Sequence, residues 1–182
     1  MNEYQTKFLS LYEPVHDSFA RFCHAKAYGL IEAEDLISES VLCALESFHK
    51  IKNNDAFLGF LFSVANNILN KKNRRLKFKA AYHESEAFVL KDEGIDAETR
   101  LDVAILYDAL NELPPVQKEA LILFEISGFS IKEVANIQHA KLSAVKQRLK
   151  RGREALATIL KLDQLKNEPE NKRSQVLMTI FL

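Results

Sequence analysis

The residues in this sequence best equipped to do chemistry are two runs of basic side chains. Lys71, Lys72, Arg74, Arg75, Lys77 and Lys79 stand within one stretch that holds no acid. Lys141, Lys146, Arg148, Lys150, Arg151 and Arg153 stand within another, again without an acid. Ammonium and guanidinium groups gathered in this way bind phosphate oxygens, so the chemistry they point to is holding a polyanion at two places. Between the runs, Glu84 to Glu112 holds nine acids against Lys91 and Arg100, so the formal net charge of zero hides a segregated distribution. A solvated helix face would account for a single basic run. Two such runs, each attached to an apolar helical pattern, favour a nucleic acid. No catalytic constellation accompanies them. His16, His24, His49, His83 and His139 have no metal-ligand spacing, Cys23 and Cys43 form no CxxC, and no P-loop or nucleophile motif is present. Neither an enzyme nor a cofactor nor a metal is expected.

The elements that must position these charges read as helices. Hydrophobic residues make up 47% and charged residues 27% of 182 residues, with only 5 Gly and 4 Pro, and no strand-like alternation runs for any length. An all-α chain is the expectation. No apolar run approaches the roughly 20 residues of a membrane span. The N-terminus lacks a basic segment followed by an apolar one, and the two separated cysteines read as free thiols in a reducing cytoplasm.

Phe8, Leu11, Val15, Phe19, Phe22 and Cys23 recur at helical spacing and predict one buried face, ended by Gly29. A second helix is expected from about Glu32 to Lys50, with Leu36, Ile37, Val41, Leu42, Leu45 and Phe48 as its apolar positions. The polar stretch Lys52-Asn53-Asn54-Asp55 reads as a turn, with Asp55 as N-cap of a third helix over about 56–79. That helix begins apolar and ends basic, which also suits the negative end of its dipole. Residues 80–96 read as a flexible acidic linker. It separates an N-terminal domain, 1–79, from a C-terminal one, 97–162, with a tail at 163–182. The apolar end of that tail, Val176 to Leu182, reads either as a loose terminus or as a segment that docks.

In the C-terminal part, one helix ends before Leu113-Pro114-Pro115, and Pro115 opens the next, which Gly128 closes. Ser130 with Glu133 three residues on matches a capping box. A four-residue break, Gln138 to Lys141, then leads into a basic helix from about Leu142 to Leu160. Short helix, tight turn and basic helix make the helix-turn-helix pattern. Val145 and Leu149 are expected inside. Lys146, Gln147, Lys150 and Arg151 are expected outside, where early recognition-helix residues meet base edges. Lys141, Arg148 and Arg153 suit phosphates.

Ser130-Ile131-Lys132-Glu133-Val134-Ala135 through Val145-Lys146-Gln147-Arg148-Leu149-Lys150-Arg151-Gly152-Arg153 resembles region 4 of the sigma-70 family of bacterial RNA polymerase sigma factors, and Leu110-Asn111-Glu112-Leu113-Pro114 resembles the motif before it. Ala33-Glu34-Asp35-Leu36-Ile37-Ser38-Glu39 and Phe57 to Asn67 resemble region 2. The order resembles the extracytoplasmic-function (ECF) class, which keeps only these two regions. That resemblance implies two small helical domains, a region 2 bundle and a region 4 helix-turn-helix, joined by a flexible linker. It implies a transcription initiation factor that binds core RNA polymerase and reads the −10 and −35 promoter elements. Asp35, Leu36, Ser38 and Glu39 would dock the clamp helices of the largest polymerase subunit, and region 4 would meet the flap of the second-largest. Lys52, Asn53, Asn54, Asp55 and Asn67 would take the −10 element and an extruded base, with Lys71, Lys72, Arg74 and Arg75 on phosphates beside the melting point. Lys141, Ser143, Lys146, Gln147, Arg148, Lys150, Arg151 and Arg153 would take the −35 element. Whether an anti-sigma factor is a further partner is left open.

The chain departs from the family pattern at Phe60, where Trp is usual, at Asn66 for Arg, at His139 for the turn Gly, and at Ser143-Ala144 for Gly-Thr. His139 must then adopt a backbone region that costs most residues energy. Two other readings remain. A stand-alone helix-turn-helix regulator would dimerise on a two-fold site but gives no reason for the motifs at Asp35 and at Phe57 to Asn67. An interaction module would bind acidic proteins through the same cations.

Overall fold

The computed structural model describes residues 3–51, 53–80 and 97–166. Among these, every regular element is helical. The elements are α1 (Glu3–Tyr12), α2 (His16–Ala27), α3 (Ala33–Ser47), α4 (Phe57–Ala80), α5 (Ala97–Asn111), α6 (Pro115–Leu121), α7 (Ile131–Ile137) and α8 (Leu142–Lys166). α8 takes in 163–166, the first residues of the expected tail; the rest of that tail and most of the expected linker lie outside the described residues, as does Lys52.

The single N-terminal helix expected from the Phe8-to-Cys23 periodicity is two helices. Glu13–Val15 forms a 3-10 turn between α1 and α2, with Pro14 inside it. Proline has no N–H to donate and crowds the carbonyl four residues back, so an α-helix breaks there while its apolar face continues. Gly29 does end α2, at φ 72. The second helix is shorter than expected because Phe48–Lys50 tightens into a 3-10 turn.

Packing divides the chain into two compact units, Met1–Phe88 with Ile122–Val145, and Val89–Leu121 with Lys146–Leu182. In the first unit, aromatic rings fill the core. Phe8 meets Phe48 and Phe57 edge-on at 5.4 and 5.6 Å, and Phe62 meets Phe19 and Phe22 at 5.3 and 4.6 Å. Such edge-to-face pairs add about 0.5–1.5 kcal/mol each beyond burial. Phe129, just before α7, sets its ring against Phe62 at 5.3 Å and is buried. Arg21 of α2 donates from Nε to the Ile126 carbonyl and from Nη2 to the Ser127 carbonyl, both at 3.1 Å. These contacts attach 122–145 to α2 and α4.

In the second unit Ala109, Leu110, Leu113, Ala120, Leu121, Leu156 and Leu160 are buried. α8 passes so close to α6 that a Cβ on Gly152 would lie 3.0 Å from Leu121 Cδ1.

Between α6 and Gly128 the chain makes a π-helical turn, Ile122–Ile126. The Ser127 N–H and its buried hydroxyl both donate to the Ile122 carbonyl, at 2.8 and 2.9 Å. Gly128, at φ 79, then releases the chain toward α7.

Candidate nucleic-acid interface

α3 buries Leu36, Ser40 and Ala44, spaced by four, against its neighbours. Its opposite face exposes Asp35, Ser38 and Glu39. Leu36 is fully buried and therefore is not on that face with them. One helical step is about 100°, which turns Leu36 inward while Asp35 points out. The apolar residue that does belong to the outer face is Leu42, 57% exposed.

α4 carries the first basic run. Asn67, Lys71, Arg74 and Arg75 are exposed, and spacings of three and four put them on one side of the helix. Lys72 is half-buried, with Nζ 2.6 Å from Glu39 Oε2 on α3. Residues expected to serve different partners are thus paired with each other. A pair this exposed contributes at most about 1 kcal/mol, so either side chain can leave it for a stronger partner. In the turn before α4, Asn53 and Asn54 are exposed, and the Ala56 N–H donates to the Asn53 carbonyl at 3.0 Å. The Asp55 side chain lies outside the described residues.

The second basic run is held by the helix-turn-helix. The expected capping box is present: the Ser130 N–H donates to Glu133 Oε2 at 2.8 Å, and the Glu133 N–H to Ser130 Oγ at 3.3 Å. Val134, Ala135 and Ile137 turn inward. After Ile137 the chain reverses through His139, whose φ of 47 is the positive value that the glycine-like position demands. Asn and His reach this region at less cost than most residues. The Ala140 N–H closes the turn on the Ala135 carbonyl at 2.9 Å. α8 then begins, with the Ala144 and Val145 N–H groups donating to the Lys141 carbonyl at 3.0 and 3.1 Å.

Val145 and Leu149 are buried, as their spacing requires. Lys141, Ser143, Lys146, Gln147, Lys150 and Arg151 are exposed, and Arg148 and Arg153 are half-buried. Lys150 Nζ lies 4.0 Å from Glu154 Oε1, a loose pair at the rim. The outer face of α8 can therefore offer cations and an amide together. That combination suits phosphates and the guanine and adenine edges of a major groove.

Four residues here escaped the reading of the sequence. Arg21 bonds carbonyls more than a hundred residues away, which no local pattern reveals. Ser127 is a buried serine that closes a π turn. Leu142, at the start of α8, is 51% exposed. Phe129 did carry a signal, because an apolar residue directly before an N-cap often pins the chain against the helix it precedes. Among the described residues, no group of three or more His, Cys, Asp or Glu side chains is arranged to hold a metal. No described helix is long and apolar enough to cross a membrane.

The family model for Sigma-70, region 4 matches residues 104–156, which contain the helix-turn-helix. The ECF RNA polymerase sigma factor EcfG of Rhodopseudomonas palustris (strain TIE-1) is 30% identical over 132 residues, 72% of each chain. The chain belongs to the ECF RNA polymerase sigma factors. Solved structures show the same fold. The sigma factor RpoE from Bartonella quintana, in complex with the anti-sigma factor NepR, has a TM-score of 0.61 at 21% identity, over 90% of this chain and 100% of that one. CnrH, in complex with the cytosolic domain of CnrY, has a TM-score of 0.62 at 21% identity, over 88% of this chain and 91% of that one. This sigma factor carries its two basic runs on α4 and α8. Its turn forms with His139 at positive φ, and α8 starts at Leu142 with Ser143-Ala144 in its first turn.

Proposed function

We propose that this sigma factor binds core RNA polymerase and directs it to promoters through two DNA contacts, one for each basic surface. The observation that carries this reading is the outer face of α8, where Lys146, Gln147, Lys150 and Arg151 are all solvent-exposed while Val145 and Leu149 anchor the helix. That face would enter the major groove of the −35 element. Lys141, Arg148 and Arg153 would take flanking phosphates, and Ser143 the helix start. Asn53 and Asn54, with Lys52 and Asp55, would receive an extruded base of the −10 element. Asn67, Lys71, Arg74 and Arg75 would hold the backbone beside it. Lys72 would join them when Glu39 turns to the polymerase.

Asp35, Ser38 and Glu39, around Leu42, offer an acidic face with an apolar centre to the clamp helices of the largest subunit. Leu36 supports that face from the core. The C-terminal helices would meet the flap of the second-largest subunit. The division into a region 2 domain (1–79) and a region 4 domain (97–162) belongs to this proposal. Strand separation would draw on binding energy and base capture rather than on ATP. The role is regulatory, in the cytoplasm, with the polymerase carrying the chemistry. An anti-sigma factor would be a further partner, of the kind named in complex with RpoE.

In vitro transcription with core enzyme over a genomic promoter library tests the proposal. Transcripts from sites sharing two upstream elements are expected. Binding of the chain alone, as a dimer on a two-fold duplex site with no polymerase-dependent transcript, would instead identify a stand-alone regulator.

A further inference from the structure

Leu142 is the first residue of α8 and is 51% exposed. Its surroundings are cationic and polar. Lys141 precedes it, Ser143 follows it, and Lys146 and Gln147 lie one turn further along, all of them exposed. No acid occurs on α8 before Glu154. A bulky apolar side chain thus stands in water at the end of the helix that the family match places in region 4. Isolated exposed leucines are common on protein surfaces. This one is framed by groups suited to phosphates and base edges, and that charge selects nucleic acid as what covers it.

In the major groove the bases present mainly hydrogen-bonding atoms. The exception is thymine, whose 5-methyl group projects into the groove and is the feature that apolar side chains contact. Early residues of a recognition helix lie nearest the base edges. Leu142 and Lys146, four residues apart, are neighbours on one helix face, so a lysine on the backbone or on a guanine would bring the leucine to an adjacent base.

We propose that Leu142 is a specificity-determining residue that reads a thymine in the −35 element by packing against its 5-methyl group. The inference rests on the −35 reading of α8 and adds one letter to the sequence that α8 selects.

The test uses holoenzyme, the chain with core polymerase, on a promoter recovered by the transcription assay. Each thymine of the upstream element is replaced in turn by deoxyuridine, which removes only the methyl group. With the unsubstituted chain, affinity should fall about fourfold at one thymine, the loss expected for one packed methyl group. Leu142→Ala should bind the thymine promoter about fourfold more weakly or worse, and should be indifferent to deoxyuridine at that position. Leu142→Met, which keeps an apolar reach, should retain sensitivity to the methyl group. Equal tolerance of deoxyuridine at every position overturns the proposal. So does a methyl effect that survives in Leu142→Ala, or an upstream element without thymine. Failure of the −35 reading itself is distinguishable, because Lys146→Glu with Lys150→Glu would then leave promoter selection unchanged.

Discussion

Neutralising Lys146 and Lys150 together, as Lys146→Gln with Lys150→Gln, separates DNA reading from everything else this chain does. Both lysines are exposed. The ion contact of Lys150 is 4.0 Å long, between side chains 77% and 62% exposed. Its loss therefore costs under about 0.5 kcal/mol, and glutamine keeps nearly the same helix propensity. Folding and polymerase binding should stay unchanged. DNA affinity should not. A lysine in the major groove also displaces counterions from the polyanion, and each such cation removed lowers the slope of log affinity against log salt by about 0.9. Two contacts lower it by about 1.8, or about 60-fold in affinity at 0.1 M salt, with the difference vanishing toward 1 M. The assay is holoenzyme binding to promoter DNA, measured by fluorescence anisotropy at several salt concentrations, beside a core-polymerase binding curve. An unchanged salt slope would refute the placement of these two lysines against DNA. A parallel loss of polymerase binding would refute the division of labour between the two surfaces.

Phe129→Ala removes a buried ring that meets Phe62 edge-on at 5.3 Å, and should cost about 3–5 kcal/mol in chemical unfolding; a loss under 1 kcal/mol would mean that this contact is not part of the folded core. Ser40 Oγ is buried on α3 without a hydrogen-bond partner, so Ser40→Ala should stabilise the protein by about 1 kcal/mol in the same assay, and a destabilisation would contradict that bonding pattern. Burial pushes the Cys23 thiol up from its ordinary 9.0 to about 12, while Cys43 is only partly buried; a thiol reagent at pH 8 should label Cys43 first and reach Cys23 only on unfolding. Because the unfolded thiol ionises first, this contribution to stability is complete below pH 9 and is lost by about 1.4 kcal/mol per unit as pH rises to 12. Cys23→Ala should flatten that slope, and an unchanged slope would count against the burial argument.

The sequence by itself determined whatever depends on neighbours along the chain. Helical periodicity gave α4 nearly its observed limits and α3 and α8 their observed starts, because the identity of a buried face is set by spacing alone. The capping box at Ser130 and Glu133 and the positive φ at His139 follow from local chemistry, and both were legible for that reason. So was the inward set of Val145 and Leu149 and the outward set of Lys146 and Gln147. Pro14 was legible too, although the unbroken apolar pattern masked the helix break it causes. Tertiary structure decided what depends on partners distant in sequence. It turned Leu36 into the core, paired Lys72 with Glu39, and joined 122–145 to α2 and α4 through Phe129 and Arg21. It also left Leu142 standing in solvent. Charge and hydropathy along a chain do not encode which far-off side chain will meet a given one. Those meetings follow from how several helices pack at once.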